Sequence, residues 1–394
     1  MDYYTPPVVP MSSPDLTDAE RQAVMDVLNS PYLSMGSKIA AFEKSFRDFI
    51  GCQFAFAVNS GTSGLHLCIR AAGIGEGDYV ITTPFSFVSS TNCILFEKAI
   101  PVFVDVDPKT GNIDVEKAAE AAEDLARGGE RAKRWLPKKG LRPGGKLNGI
   151  VAVDVYGQPA DYDALHKIAD DHQVHLIEDS CESLGSAYKG RRSGLLGDYG
   201  VFAFYPNKQI TTGEGGMIVT NDEKAAAIMA ALRNQGRSPG DTWLEHTLLG
   251  YNYRLDEMSA ALGAVQMSRI HELLAKRAQV ADWYNQRLSI LHGLQPPVLV
   301  ESTTEVSWFV YVARLDPGVD RQKITVALKE KGIPVRPYFN PIHLQPYITD
   351  MLGYQAGDFP VTEDLGERSI ALPFSGVMDE SQVDQVCSAI NSVL

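Results

Sequence analysis

Histidine and cysteine are scarce in this 394-residue chain, with 8 and 5 residues respectively, and nowhere gathered. The cysteines, at positions 52, 68, 93, 181 and 387, are odd in number and form no CxxC pair. That excludes a disulfide framework and a thiolate metal cluster, and fits a reducing compartment. No apolar run approaches the ~18 residues of a membrane span. The opening Met1-Asp-Tyr-Tyr-Thr-Pro-Pro7 lacks a basic stretch followed by an apolar one, so the expected location is the cytoplasm. Positive charge is also short: 36 Lys and Arg face 49 Asp and Glu, a net charge of −13. A general nucleic-acid partner is excluded, and any anionic ligand needs a locally positive site. The glycine- and hydroxyl-rich segment 59–64 carries neither GxGxxG nor a phosphate-loop lysine, so it does not hold a dinucleotide or mononucleotide by those devices.

The length suits two packed domains, and the 44% hydrophobic content supplies their cores. Short β-prone runs alternate with helical or loop stretches over 54–58, 79–82, 101–105, 149–155, 174–178, 200–204 and 216–220. This pattern predicts a mostly parallel sheet wrapped by helices, with its active site at the strand C-termini. Helical patterns cover Asp18–Leu28, Lys38–Phe49 and a long, broken 258–291. A smaller α+β unit follows, with Val306–Leu315, Arg321–Glu330, Pro334–Tyr338 and a closing helix at Glu380–Val393. The expected division is a large domain at 1–270 and a small one at 271–394.

The segment Gly200-Val-Phe-Ala-Phe-Tyr-Pro-Asn-Lys208 sets a single amine at the mouth of a strand, before the glycine cluster Gly213-Glu-Gly-Gly216. An amine there can form a Schiff base; a surface turn lysine is the plainer alternative. Asp179 lies just past the buried run Val174–Ile177. It suits a protonated pyridine nitrogen or, equally, a helix N-cap. Asn59-Ser-Gly61-Thr62-Ser-Gly64 precedes a helical run at 65–72, where free backbone N–H groups can cradle a phosphate. Phe87, after the strand at 79–82, can lie flat on a planar ring or simply pack in the core.

These pieces occur in a workable order: phosphate cup, stacking aromatic, strand-end Asp, then Lys. With Gly250-Tyr-Asn252-Tyr-Arg254, Tyr156-Gly-Gln-Pro-Ala160 and Pro341-Ile-His343, they resemble the DegT/DnrJ/StrS family of nucleotide-sugar aminotransferases. Those are enzymes of the fold-type I class that use pyridoxal 5′-phosphate (PLP), and the resemblance runs over nearly the whole chain. It implies that Lys208 binds the cofactor and shuttles a proton. Asp179 is implied for the pyridine nitrogen, Glu182 for the ring hydroxyl side, Phe87 for stacking, and Gly61 and Thr62 for the phosphate. Asn252 is implied to reach the phosphate of a neighbouring subunit, hence a homodimer with shared sites. Arg254, Tyr338 and His343 are candidates for the substrate pocket, although a lone His is more often structural.

Ala203 departs from the pattern, because many relatives carry a phosphate-binding Ser there. A lysine at 208, where a dehydratase branch has His, favours amino transfer. The implied reaction moves an amino group from an amino acid, L-glutamate being expected, to a nucleotide-diphosphate ketosugar. Thr211-Thr-Gly-Glu-Gly-Gly216 resembles enzymes acting at carbon 4. The alternatives are a PLP-dependent dehydratase or lyase, and a non-catalytic sugar-nucleotide-binding protein.

One stretch stands apart. Residues 123–149 crowd Arg127, Arg131, Lys133, Arg134, Lys138, Lys139, Arg142 and Lys146 into a Gly/Pro-rich segment. It enters its strand from the end opposite the expected site, so a solvated surface insertion is expected.

Overall fold

The computed structural model describes residues 9–141, 144–237 and 245–394; Arg142 of the basic stretch lies outside them. All seven expected strands form, within two or three residues of the expected bounds, and they join one sheet. They are β1 (Phe54–Val58), β2 (Tyr79–Thr82), β3 (Ile100–Phe103), β4 (Leu147–Val153), β5 (His175–Asp179), β8 (Tyr199–Ala203) and β9 (Gly216–Thr220). Between β5 and β8, two-residue strands β6 (Ala187–Tyr188) and β7 (Arg191–Arg192) make a hairpin beside the sheet.

The strand order is β1-β9-β8-β5-β4-β2-β3. Pairing is parallel from β8 through β5, β4 and β2 to β3. Only β9 runs the other way, antiparallel to both β1 and β8. Parallel strands covered on both faces read as unbroken apolar runs, and Val80, Ile81, Val102, Ile150, Val151, Leu176 and Ile177 are all buried. The architecture is therefore α/β, as expected. β4 starts at Leu147 and stops at Val153 rather than at 155. The next side chain, Asp154, bends the chain by accepting the Ala160 N–H (3.1 Å) and the Tyr162 hydroxyl (2.9 Å).

The long helical stretch is two helices, Glu257–Ser268 and Ile270–Leu288, broken at Arg269. Leu273 of the second packs into the large-domain core, whereas Val280, Ala281, Tyr284 and Leu288 pack into the core of the following unit. That unit carries a four-stranded sheet ordered β10-β12-β14-β13, from β10 (Leu294–Gln295), β12 (Tyr311–Leu315), β14 (Ser369–Leu372) and β13 (Arg336–Pro337). Its remaining strand, β11 (Thr303–Glu305), leaves to pair with β6. The stretch between β13 and β14 returns to the large domain, where Phe339 and Leu365 pack with Phe85 and Val153, and Ile342, Ile348 and Phe359 with Phe103.

The basic stretch is partly helical, closing the helix Val115–Arg127 and forming a short one at Gly129–Lys133. Its charges meet local acids: Arg127 pairs with Glu123 and Arg134 with Glu120 and Asp124. Lys138 reaches Asp358 at 3.1 Å. Among the described residues no helix is long and apolar enough to cross a membrane.

Candidate active site

The C-terminal ends of β1, β4, β5 and β8 surround a cavity of about 550 Å3, lined also by residues 86–89, 205–208, 214–215, Phe309 and Tyr338. Its floor is electrically structured. Asp179, at the end of β5, accepts hydrogen bonds from Ser90 Oγ (2.7 Å) and the Cys181 N–H (3.2 Å). Charge-assisted bonds of this kind keep a buried carboxylate oriented. Glu182, in the turn after β5, accepts the Tyr156 N–H at 2.9 Å on Oε2 and lies 3.7 Å from Lys208 Nζ through Oε1. Burial pushes its carboxyl up to about 7, against the opposing pull of Lys208 and the Tyr156 bond. Lys208 Nζ also stands 3.7 Å from the centre of the Phe309 ring, over its face.

The helix that follows β1 is Gly61–Ala71, so Gly61 and Thr62 are its first two residues. Ser60 Oγ takes the Ser63 N–H and the Ser60 carbonyl takes that of Gly64. The helix itself supplies no acceptor for the N–H groups of Gly61 and Thr62, as at any N-terminus. A helix end of this kind favours an anion. The cup is tight: an added Cβ on Gly61 would lie 2.8 Å from Ala203 Cβ and 2.9 Å from Cys181 Sγ. Thr62 Oγ1 shares a 2.7 Å hydrogen bond with Ser89 Oγ, a second hydroxyl at the cup's edge.

Gly61, Thr62, Phe87, Asp179, Glu182, Lys208 and Tyr338 thus meet in one cavity. Phe87 stands at the mouth, 63% exposed. Three expected site residues lie elsewhere. Asn252 is exposed outside the cavity, and its carbonyl lies 3.5 Å from Asn59 Nδ2. Arg254 bridges to Val58 and donates from Nη1 to Asn234 Oδ1 at 2.8 Å. His343 is fully buried, bonded through Nε2 to Glu363 (3.0 Å) and packed on Phe359. Burial lowers its pKa. Its placement is that of a core histidine.

Sequence reasoning missed Ser90, Tyr205, Glu214 and Phe309. Ser90 stands three residues after Phe87, within the stretch that supplied it, and a hydroxyl at i+3 was a readable signal. Phe309 approaches from the loop that leads into the distant β12 and carried none.

The family model described as the DegT/DnrJ/EryC1/StrS aminotransferase family matches residues 14–391. This chain belongs to that family. It is similar to the GDP-perosamine synthase of Caulobacter vibrioides, 35% identical over 391 residues that cover 98% of this chain and 99% of the other. Among solved structures, the aminotransferase from Psychrobacter cryohalolentis is 30% identical with a TM-score of 0.85, covering 97% of this chain and 98% of that one. Helicobacter pylori PseC, an aminotransferase involved in pseudoaminic acid biosynthesis, is 26% identical with a TM-score of 0.86, covering 98% of both chains. The fold is that of the fold-type I aminotransferases. The protein is a PLP-dependent aminotransferase. The residues present fit that cofactor. A cavity of this size holds a small aromatic ligand, with an anion cup at one end, a fixed carboxylate at depth and an amine at the side.

Proposed function

We propose that this enzyme transfers the amino group of L-glutamate to carbon 4 of a nucleotide-diphosphate ketosugar, in the cytoplasm, as a homodimer with shared sites. The observation that carries the reading is the single cavity in which Lys208 Nζ stands 3.7 Å from Glu182 while Asp179 and the open helix N-terminus face the same space. The activities for which the relatives are named support a nucleotide-sugar acceptor. The Thr211–Gly216 variant supports carbon 4.

Bound there, PLP supplies an aldehyde carbon that amines can add to and a ring that withdraws electron density from the substrate carbon. In this reading the N–H groups of Gly61 and Thr62, with the Thr62 and Ser89 hydroxyls, hold the phosphate. Ser89 takes the place of the serine missing at Ala203. Asp179, kept in place by Ser90, presents a negative oxygen to the ring nitrogen. Glu182 faces the ring hydroxyl side and keeps Lys208 within reach. Lys208 Nζ would take the proton from the substrate carbon as a general base and hold it for return as a general acid. Phe87 covers the ring at the mouth, Asn252 completes the phosphate site of the partner subunit, and Tyr338 contacts the sugar.

The test is spectroscopic. L-glutamate should abolish the visible absorption of the holoenzyme, and a nucleotide ketosugar should restore it with formation of the amino sugar. Placing the new amine by NMR decides carbon 4. Bleaching by other amino acids and not by glutamate would overturn the donor assignment.

A further inference from the structure

Arg277 is 5% exposed and, among the described residues, makes no ion pair with a carboxylate. Among the described residues its guanidinium hydrogen-bonds to backbone carbonyls alone: Nε to Trp308 (2.9 Å), and Nη2 to Asn207 (2.8 Å) and to Phe309 (2.9 Å). Burial alone brings its pKa down to about 10. A buried cation without a counter-charge is costly, so it marks a position that the protein holds for a reason other than stability.

The three acceptors are not arbitrary. Asn207 immediately precedes Lys208, and Phe309 carries the ring that lies 3.7 Å from Lys208 Nζ. Trp308 between them sits at φ 44°, the left-handed region that a bulky side chain rarely occupies. A second tie runs in parallel. Gln209, immediately after Lys208, donates through Nε2 to Ser307 Oγ (2.8 Å) and to the Glu182 carbonyl (2.6 Å). Both chain neighbours of Lys208 are therefore fastened to the segment 307–309. Arg277 and Lys208 also line one small void of about 10 Å3, together with Asp15.

We propose that Arg277 is a positioning residue for Lys208: it clamps Asn207, Trp308 and Phe309 by their carbonyls and so fixes the amine against the Phe309 ring. The device fastens the Lys208 loop of the large domain to the lead-in of β12. Its product is a high effective concentration of one amine at the cofactor, the quantity that rigid placement raises.

Two measurements on the full-length protein test this, neither requiring the physiological substrates. In the first, holoenzyme is equilibrated with methylamine and reduced with borohydride, and mass spectrometry reads the fraction of cofactor on Lys208. Arg277→Lys, which keeps the charge and loses the fork, should lower the methylamine concentration at half-displacement at least fivefold. In the second, hydrogen exchange of the apoprotein should quicken at least tenfold in peptides covering 204–212 and 306–311, and stay unchanged along 278–288. Unchanged displacement, or exchange raised equally along the whole helix, overturns the proposal. Phe309→Leu removes the ring without touching Arg277 and covers the case in which Arg277→Lys does not fold. It should reproduce the displacement shift with no quickening at 204–212. Displacement within twofold of wild type in Phe309→Leu would likewise overturn it. A cofactor reduced onto another lysine would instead refute the assignment of Lys208.

Discussion

Replacing Gly61 with alanine probes the phosphate cup at its tightest point. The added Cβ would sit 2.8 Å from Ala203 Cβ and 2.9 Å from Cys181 Sγ. Ordinary contacts between such atoms are ~3.5–4.0 Å. Both obstacles are short side chains at the ends of β8 and β5, with no flexible tip to swing aside. The helix start must therefore retreat by roughly 1 Å, an overpacking that costs ~1–3 kcal/mol in stability. The same retreat carries the N–H groups of Gly61 and Thr62 out of hydrogen-bonding distance. Losing one bond to a charged group is worth ~1.5–3 kcal/mol, or roughly 10–150-fold in cofactor Kd. The assay is a titration of apoenzyme with PLP by absorbance, beside a thermal melt. Gly61→Ala/Ala203→Gly removes the closer contact and should recover part of the affinity. A Gly61→Ala protein that binds PLP within twofold of wild type would refute the reasoning, as would a double variant no better than the single one.

Other outcomes follow from the same geometry. Lys208→Ala should fold, yield no borohydride-fixed cofactor and lose at least the ~10²–10⁴ in rate that acid–base help supplies; residual turnover near wild type would exclude it as the proton carrier. Burial holds Glu182 at about 7 against an ordinary 4.5, so between those values the folded apoprotein binds more protons than the unfolded chain. The contribution of this group therefore lowers stability as pH rises through that window, by roughly 3 kcal/mol in all, and is flat above it. Glu182→Gln should raise the apoprotein melting temperature above wild type at pH 8 and not at pH 4.5; an equal shift at both would contradict the assignment. Mixing Lys208→Ala chains with Asn252→Asp chains should restore activity in the heterodimer, because one of its two sites then carries neither lesion. No recovery in demonstrated heterodimers would show that Asn252 does not serve a partner's site.

The sheet was legible because its strands are buried on both faces and punctuated by turns, so each reads as a short apolar run. The cofactor side of the cavity was legible for a related reason. Gly61, Phe87, Asp179 and Lys208 each follow such a run directly, and a residue at a strand C-terminus inherits its position from the sheet. What comes from the second unit was not legible. Phe309 reaches Lys208 from the loop before β12, next to a Trp308 at φ 44°, and no local pattern announces that. His343 stands in a motif that suggests chemistry, yet the fold spends it on Glu363 and Phe359 in a satellite core. The basic stretch was expected to be a solvated surface insertion. Its acids, Glu120, Glu123 and Asp124, lie a few residues upstream on one helix and neutralise much of it locally.

The reversed strand has a consequence for synthesis. β1 lies at the edge of the sheet with β9 as its only neighbour there, and its end is further fastened by Tyr253 and Arg254. Every scaffold contact of the cup's strand in the sheet is thus made with chain that leaves the ribosome more than 150 residues after Val58. Pairings of such sequence separation form late and slowly. Until then β1 has no sheet partner, and the preceding helix Ser37–Ile50 is available to pack on it. β9, which follows the Lys208 loop directly, is thus the strand that ties that loop to the anion cup. A nascent chain ending short of Gly216 holds the whole sequence of the cup and none of the strand that shapes it.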